Sequence, residues 1–373
     1  MALQVLVAPD KFKGTLTAEQ AAQAMAAGWR SQRPEDELQL LPISDGGDGF
    51  GQIISNLLEA EPQVVKAVDP AHRPCDALWW WHAPTRTAIV EAARIVGLAQ
   101  LPVGKYHPFE LDTEGLGVVL NAAAQHGAVR CLAGIGGSAT NDAGFGLARA
   151  VGWQFFGKHD EKLTRWTELR DLAQVRPPEQ PRLFESLSVA VDVQNPLLGP
   201  NGCTRIYGPQ KGLRPDEFEF AERCLEQLAR IMALELHTEC AGAPGAGAAG
   251  GLGFGLRCFA NGQLEPGFAL FARHAKLVER LGEAQLVLTG EGAIDHSTIM
   301  GKGVGELARL CKASGVHCLG LGGMVADPAR AKELFTNTYA LTPDLASPRE
   351  VMGSAAFWLE KLAAKAAQEW AES

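Results

Sequence analysis

Short apolar runs alternate with helix-spaced segments at both ends of the chain. Residues 3–8 form the continuous apolar run that a buried parallel strand requires. Residues 17–30 follow with helical spacing, and Thr17 stands where an N-cap is expected. Residues 38–43 predict a second strand and 50–58 a second helix. The C-terminal part repeats the theme, with strands at 285–288, 316–321 and 338–341 and helices at 304–313, 328–335 and 348–370. Such alternation predicts an α/β fold built on a doubly wound parallel sheet of flavodoxin-like or Rossmann-like type.

The middle of the chain breaks this rhythm. It carries strand-like runs at 77–82, 87–90, 128–133 and 188–193 and a charged stretch over 158–182. The pattern predicts a discontinuous arrangement, with 1–63 plus 267–373 forming the flavodoxin/Rossmann-like domain and 64–266 a second α/β domain inserted into it. Two sequential domains split near Arg182 are the simpler alternative. Trp79, Trp80 and Trp81 alternate faces on a predicted strand, so at least one ring is expected at the surface, for packing or an oligomer contact; a homodimer is allowed.

Composition narrows the function. The 373 residues carry a net charge of −9, which argues against a nucleic-acid partner. Eight cysteines show no metal-binding spacing and suit reduced thiols in a cytosol. The N-terminus opens directly into a strand rather than a signal peptide, and no stretch approaches the roughly 18 apolar residues of a membrane span. A cytoplasmic protein without a membrane partner is expected.

The chemistry lies in Gly-rich and acidic turns: PDKFKG (9–14), SDGGDG (44–49), GIGGSATND (134–142), VDVQNPLLGPNG (191–202), GPQKG (208–212), PGAGAAGGLG (244–253) and TGEG (289–292). Glycine lets backbone amides approach a ligand, and successive amides at a turn or helix start bind anions. Nearby carboxylates suit a metal that bridges phosphate oxygens. The set points to a nucleotide-dependent phosphotransferase. Asp10 and Lys13 follow a strand, where ligands of open α/β sheets sit. Asp45 and Asp48 flank a Gly pair in a turn fit for a metal or a hydroxyl. In the GIGGSATND loop, Gly136 and Gly137 offer amides, and Ser138, Thr140, Asn141 and Asp142 offer hydroxyl, amide and carboxylate groups. Asp192 ends a β-branched run, where it could accept the proton of a substrate hydroxyl, and Lys211 could neutralise a transferring phosphoryl group. TGEG places Glu291 at a strand end, with Asp295 close behind. The formal GxGxxG at Gly245, Gly247 and Gly250 follows a helical stretch rather than a strand, so it fails as a dinucleotide fingerprint. Its Gly250 and Gly251 suit a flexible loop over a ligand. The GK pairs at Gly104, Gly157 and Gly301 do not make a P-loop.

Taken in order, these motifs resemble the glycerate kinase family of the bacterial two-domain α/β type, from PDKFKG to TGEG and the GKG that follows. GGSATND, NPLLGPNG, GPQKG and PGAGAAGGLG are specific as a set. The resemblance implies ATP- and Mg²⁺-dependent phosphorylation of D-glycerate, giving 2-phosphoglycerate or 3-phosphoglycerate. It also implies a flavodoxin-like domain interrupted by a second α/β domain. The chain departs from the family pattern at Lys11 (usually Ser), Asp48 (usually Glu), Gln194 (commonly Asp), Ala293 (commonly Arg) and Ser297 (commonly Gln). An Arg is the natural partner of the glycerate carboxylate, so Ala293 opens the acceptor to another small hydroxy acid or polyol, with Lys11 as a substitute positive charge.

On this reading Asp192 orients or deprotonates the hydroxyl, Lys13 and Lys211 stabilise the transferring group, and Asp45, Asp48, Asp142, Glu291 and Asp295 are the metal candidates. Asp10, Lys11, Gly136, Gly137, Ser138, Thr140, Asn141, Gly250 and Gly251 are the substrate and phosphate candidates. The site is expected in the cleft between domains. A non-catalytic ligand sensor on the same fold is the competing class.

Overall fold

The computed structural model describes residues 2–180, 182–237, 239–300 and 303–371; Gly301 and Lys302 of the GKG segment lie outside the described residues. The chain separates into two compact units, Met1–Asp45 with Phe271–Ser373, and Gly46–Leu270. Among the described residues no helix is long and apolar enough to cross a membrane.

The first unit is a five-stranded, wholly parallel sheet. Its order is Asn337–Ala340, His317–Val325, Leu286–Ile294, Gln4–Val7, Glu37–Leu40. From Gln4–Val7 the chain moves one way, to Glu37–Leu40; from Leu286–Ile294 it moves the other way. The winding therefore reverses between Gln4–Val7 and Leu286–Ile294. Ligands of open α/β sheets bind beyond the carboxyl ends of the strands at such a reversal. Asp10 and Glu291 come from those two strands, and Asp45 follows the neighbouring Glu37–Leu40.

Helix Ala18–Gln32 joins the first two strands. Thr17 and Gln20 close it with a reciprocal capping box. The helix presents Ala21, Ala22, Met25 and Trp29 to the core, all fully buried. At Gly28 a Cβ would overlap the Glu360 carbonyl, so the glycine is what allows helix Ala355–Ala371 to cross this closely. Trp29 Nε1 donates to Asp36 Oδ2 (2.9 Å), while Asp36 Oδ1 accepts from the Leu3 amide (2.9 Å) and Arg33 Nε donates to Oδ2 (2.6 Å). Burial alone would raise the Asp36 pKa, but Arg33 and these donors hold it below its ordinary value. Asp36→Ala would leave a buried indole N–H without a partner and is expected to lower unfolding free energy by about 3 kcal/mol. Urea denaturation checks this, and a loss under about 1 kcal/mol would contradict it.

The second unit holds a six-stranded mixed sheet, ordered Gln263–Pro266, Ser186–Val191, Arg130–Gly134, Thr87–Glu91, Pro74–His82, Glu61–Val68. The first four strands are parallel, and Pro74–His82 runs antiparallel to both of its neighbours. Gln154–Gly157 and Leu172–Arg176 form a separate hairpin. Helix Phe50–Leu58 packs on this sheet, with the Phe50 ring against Gly134, where a Cβ would come within 2.5 Å of it. Trp79 and Trp80 are both 3% exposed, and Trp81 is the partly exposed one.

Several elements differ from their sequence expectation; the strand expected over 38–43 stops at Leu40, and the one expected over 316–321 runs on to Val325. The strand expected to stop at 288 runs on as Leu286–Ile294, so TGEG lies inside it and not in a turn after it. The closing helix is two helices, Pro348–Gly353 and Ala355–Ala371, broken at Ser354. The helix over 328–335 shortens to Pro328–Ala331.

Candidate active site

In the first unit the strand ends gather carboxylates. Asp10 is 9% exposed, donates its amide to the Gly290 carbonyl (2.9 Å), and receives the Lys11 amide on Oδ1 (2.7 Å). Lys11 Nζ stands 3.7 Å from Asp45 Oδ1, so the Lys that departs from the family pattern faces a metal candidate. Gly303 lies beside Asp10, where a Cβ would stand at ordinary contact distance, 3.5 Å, from Oδ2. Glu291 accepts from Thr298 Oγ1 at 2.6 Å. Burial pushes its pKa up to about 7, and the negative charges of Asp10, Asp295 and Asp45 add to the rise. Asp295 is a helix cap: Oδ1 accepts from the Ser297 amide and hydroxyl, both at 2.7 Å, and these bonds lower its pKa. Lys13 is exposed in the turn between Phe12 and Leu16.

A carboxyl group protonated in the fold but ionised in the unfolded chain weakens the fold as pH rises between the two pKa values. For Glu291 that window runs from about 4.5 to about 7. In metal-free buffer, Glu291→Gln is expected to gain melting temperature relative to the parent chain as pH rises from about 5 to about 8. A difference that stays constant over that range would contradict the raised pKa.

In the second unit four of the Gly-rich motifs interlock. Lys211, 6% exposed, donates from Nζ to the Thr140 carbonyl at 2.6 Å. Burial lowers its pKa to about 8, opposed by Cys203 and Asp142. Gly250 lies directly on both groups: a Cβ there would overlap the Thr140 carbonyl and stand 2.7 Å from Lys211 Nζ. Ala249, Gly250 and Gly251 adopt left-handed φ values of 56°, 71° and 84°, a turn at the start of helix Ala248–Ala260 that glycine makes accessible. Gly251 fits against Ala143 and Leu197, and the Gly247 amide donates to the Asn195 carbonyl (2.9 Å). The segment expected to be a flexible loop is thus packed, with Gly245 to Ala248 buried.

The 136–142 loop is held from several sides. The Gly136 amide donates to the Gly46 carbonyl (3.3 Å), and Leu98 donates to the Gly137 carbonyl (2.9 Å). Ser138 Oγ and Thr140 Oγ1 lie 3.1 Å apart. Asn141 is fully buried; Nδ2 donates to Thr204 Oγ1 (3.1 Å), and Oδ1 has no hydrogen-bond partner among the described residues. Asp142 is fully buried as well. Its Oδ2 accepts from the Thr113 hydroxyl (2.7 Å), the Thr113 amide (3.0 Å) and the Gly146 amide (2.9 Å). Burial and Asp112 raise its pKa. These bonds anchor the loop and leave Asp142 poorly placed to hold a metal.

Asp192 is exposed at the end of Ser186–Val191. Next to it Asn195 Oδ1 accepts from the Tyr207 hydroxyl at 2.6 Å, and burial followed by the charge of Asp192 raises the Tyr207 pKa to about 12. Asp48 is exposed in this unit, its Oδ1 against Gly137. Sequence reasoning missed Tyr207, Thr113 and Glu91, a buried acid considered below. Their partners lie far along the chain, and only Glu91, a charge ending the apolar run TAIVE, left a local signal.

Among the described residues, the one group of three potential ligand side chains drawn within 4.8 Å is His72, Asp112 and Glu114. Arg149 stands 4.0 Å and 3.9 Å from the two acids, and the pKa of His72 is raised by them, so it reads as an ion-pair cluster. Asp10, Asp45 and Glu291 spread more widely. That suits Mg²⁺, which keeps water ligands and takes only one or two carboxylates from the protein.

A sequence model of the glycerate kinase family matches residues 5–371. The chain belongs to the glycerate kinase family. It is 36% identical over 364 residues to a glycerate kinase of Halalkalibacterium halodurans, covering 96% of each chain. It is 32% identical to the glycerate 2-kinase of Escherichia coli, over 87% of this chain and 86% of that one. The crystal structure of a putative glycerate kinase 2 from Salmonella typhimurium LT2 superposes with a TM-score of 0.85 at 28% identity, covering 100% of this chain and 99% of that one. The protein is a kinase of this family with a mixed α/β fold.

Proposed function

We propose that the protein transfers the γ-phosphoryl group of ATP to the 2-hydroxyl of D-glycerate, giving 2-phosphoglycerate and ADP. Family membership over nearly the whole chain carries this reading. The position follows the name of the Escherichia coli relative, a glycerate 2-kinase.

Asp192 accepts the hydroxyl proton as the oxygen attacks phosphorus. It is exposed at a strand end, where a substrate can reach it. Lys211 stays mostly charged at neutral pH and stabilises negative charge held at the 136–142 loop, where the Gly137 amide is the candidate anion donor, the Gly136 amide being taken by the Gly46 carbonyl. Ser138, Thr140 and Asn141 fix that loop, Gly250 closes over its Thr140 carbonyl, and Gly251 packs beside it on Ala143. Lys11 binds the charge of the anionic partner of the first unit, Lys13 adds an exposed positive charge there, and Asp10 accepts from a hydroxyl of that partner. The cation donors of the first unit are Asp45 and Glu291; in the second unit, taken by itself, the cation donor is Asp48. Burial pushes the Glu291 pKa to about 7 and the negative charges of Asp10, Asp295 and Asp45 add to the rise; that concentration of acids is the observation that fits a cation. When bound, Mg²⁺ neutralises phosphate oxygens. Asp142 and Asp295 serve as a loop anchor and a helix cap.

A second reading, with another small hydroxy acid or polyol as acceptor, is favoured by Ala293 in place of the family's Arg. An acceptor panel at fixed ATP and Mg²⁺ separates the two. D-Glycerate is expected to give the highest kcat/KM, and any other acceptor exceeding it by about tenfold, a difference of about 1.4 kcal/mol in transition-state binding, would replace glycerate as the substrate.

A further inference from the structure

Helix Phe50–Leu58 begins without a cap of its own. Its N-cap is Gly49, at φ 92°, with no side-chain cap bond. The cap comes from 42 and 40 residues away: Glu91 Oε1 accepts from the Gly49 amide (3.0 Å) and Oε2 from the Gly51 amide (2.9 Å). Glu91 is 3% exposed at the end of strand Thr87–Glu91. Its charge is balanced by those amides, by the positive end of the helix, and by Arg94, whose Nε is 3.4 Å from Oε2. Arg94 in turn lies over the Trp80 ring at 5.5 Å from its centroid. Gly51 packs flush on that same ring, where a Cβ would overlap it. The tryptophan run thus supplies the wall of a clamp on the first turn of this helix.

The clamp has a consequence for the turn before it. The Gly46 end is fixed by the Gly136 amide on its carbonyl (3.3 Å). The Gly49 end is fixed by Glu91. Asp48 lies between the two fixed points, its Oδ1 against Gly137. An anion site expected at a helix start is here filled by the protein's own carboxylate, so this helix positions and does not bind phosphate.

We infer that Glu91 is a positioning residue of the kinase, holding the 46–49 turn so that Asp48 is presented to the divalent cation; the inference rests on the assignment of Asp48 as a cation donor proposed above. Outer groups that orient metal-binding side chains change metal affinity or activity by about 10–100-fold when removed.

The test uses Mn²⁺ as the probe, titrated into the full chain with ADP present and read by electron paramagnetic resonance without turnover. Glu91→Gln keeps the volume and one carbonyl acceptor, and is expected to weaken Mn²⁺ binding by about tenfold; Glu91→Ala is expected to weaken it further within that range. Arg94→Ala, which spares both amide bonds, should give a smaller effect and serves if Glu91→Ala fails to fold. Hydrogen exchange at Gly49 and Gly51 should accelerate in both Glu91 variants. Asp48→Asn is the control. If it weakens Mn²⁺ binding while Glu91→Gln and Glu91→Ala bind Mn²⁺ as the parent does, Glu91 is only a helix cap and the inference falls alone. If Asp48→Asn also leaves affinity unchanged, the assignment of Asp48 falls and takes the inference with it.

Discussion

Lys211→Ala is expected to lower kcat by about 100- to 1,000-fold, the range for removing one preorganised charge donor from a site where negative charge develops. Three observations set this expectation. The ammonium is buried and donates to the Thr140 carbonyl at 2.6 Å. It keeps most of its charge at neutral pH although burial lowers its pKa to about 8. Gly250 and the 136–142 loop close around it, so no flexible side chain can take its place. A purely structural pin would behave differently: Lys211→Ala would lower the melting temperature and leave the kcat of the folded fraction intact. Steady-state kinetics beside a thermal melt separates the two, and normal turnover by folded Lys211→Ala would remove Lys211 from the mechanism.

Asp192→Asn is expected to lower kcat by about 100- to 10,000-fold with little change in melting temperature. The substitution keeps the size of the side chain and removes its capacity to take a proton. Asp192 is exposed, and substitutions at exposed positions usually change stability little. The raised Tyr207 pKa, partly due to the charge of Asp192, gives an independent reading: in Asp192→Asn the Tyr207 phenol should titrate lower than in the parent chain. Unchanged turnover would mean that the acceptor hydroxyl loses its proton to another group.

Much of the scaffold was legible in the sequence because its signals are local. Thr17 announces a helix start, and apolar runs of four to six residues announce strands, parallel ones in the first unit and an antiparallel one at 77–82. Glycine was the ambiguous signal. In TGEG it was read as a turn, but Gly290, Gly292, Gly322 and Gly323 lie on two paired strands, where the absence of side chains permits close backbone approach. In PGAGAAGGLG it was read as flexibility, but the same lack of Cβ atoms lets the segment pack on Thr140, Ala143 and Asn195. Acids were ambiguous for a related reason. Asp142 and Asp295 sit in Gly-rich or polar segments like the other carboxylates, and only their hydrogen bonds, to Thr113 29 positions away and to Ser297 two positions on, mark them as structural. Glu91 escaped notice because its partners lie 40 and 42 residues off and nothing in the local pattern names them.

Phosphoryl transfer from ATP to glycerate is measured by following ATP consumption by the purified protein with Mg²⁺, with and without D-glycerate, and taking the phosphorus NMR spectrum of the product. ATP consumption is expected to depend on D-glycerate, and the product phosphorus to couple to a single carbon-bound proton, as phosphorylation at carbon 2 requires. Coupling to two such protons would move the product to 3-phosphoglycerate, and ATP consumption that ignores D-glycerate would rule glycerate out as the acceptor.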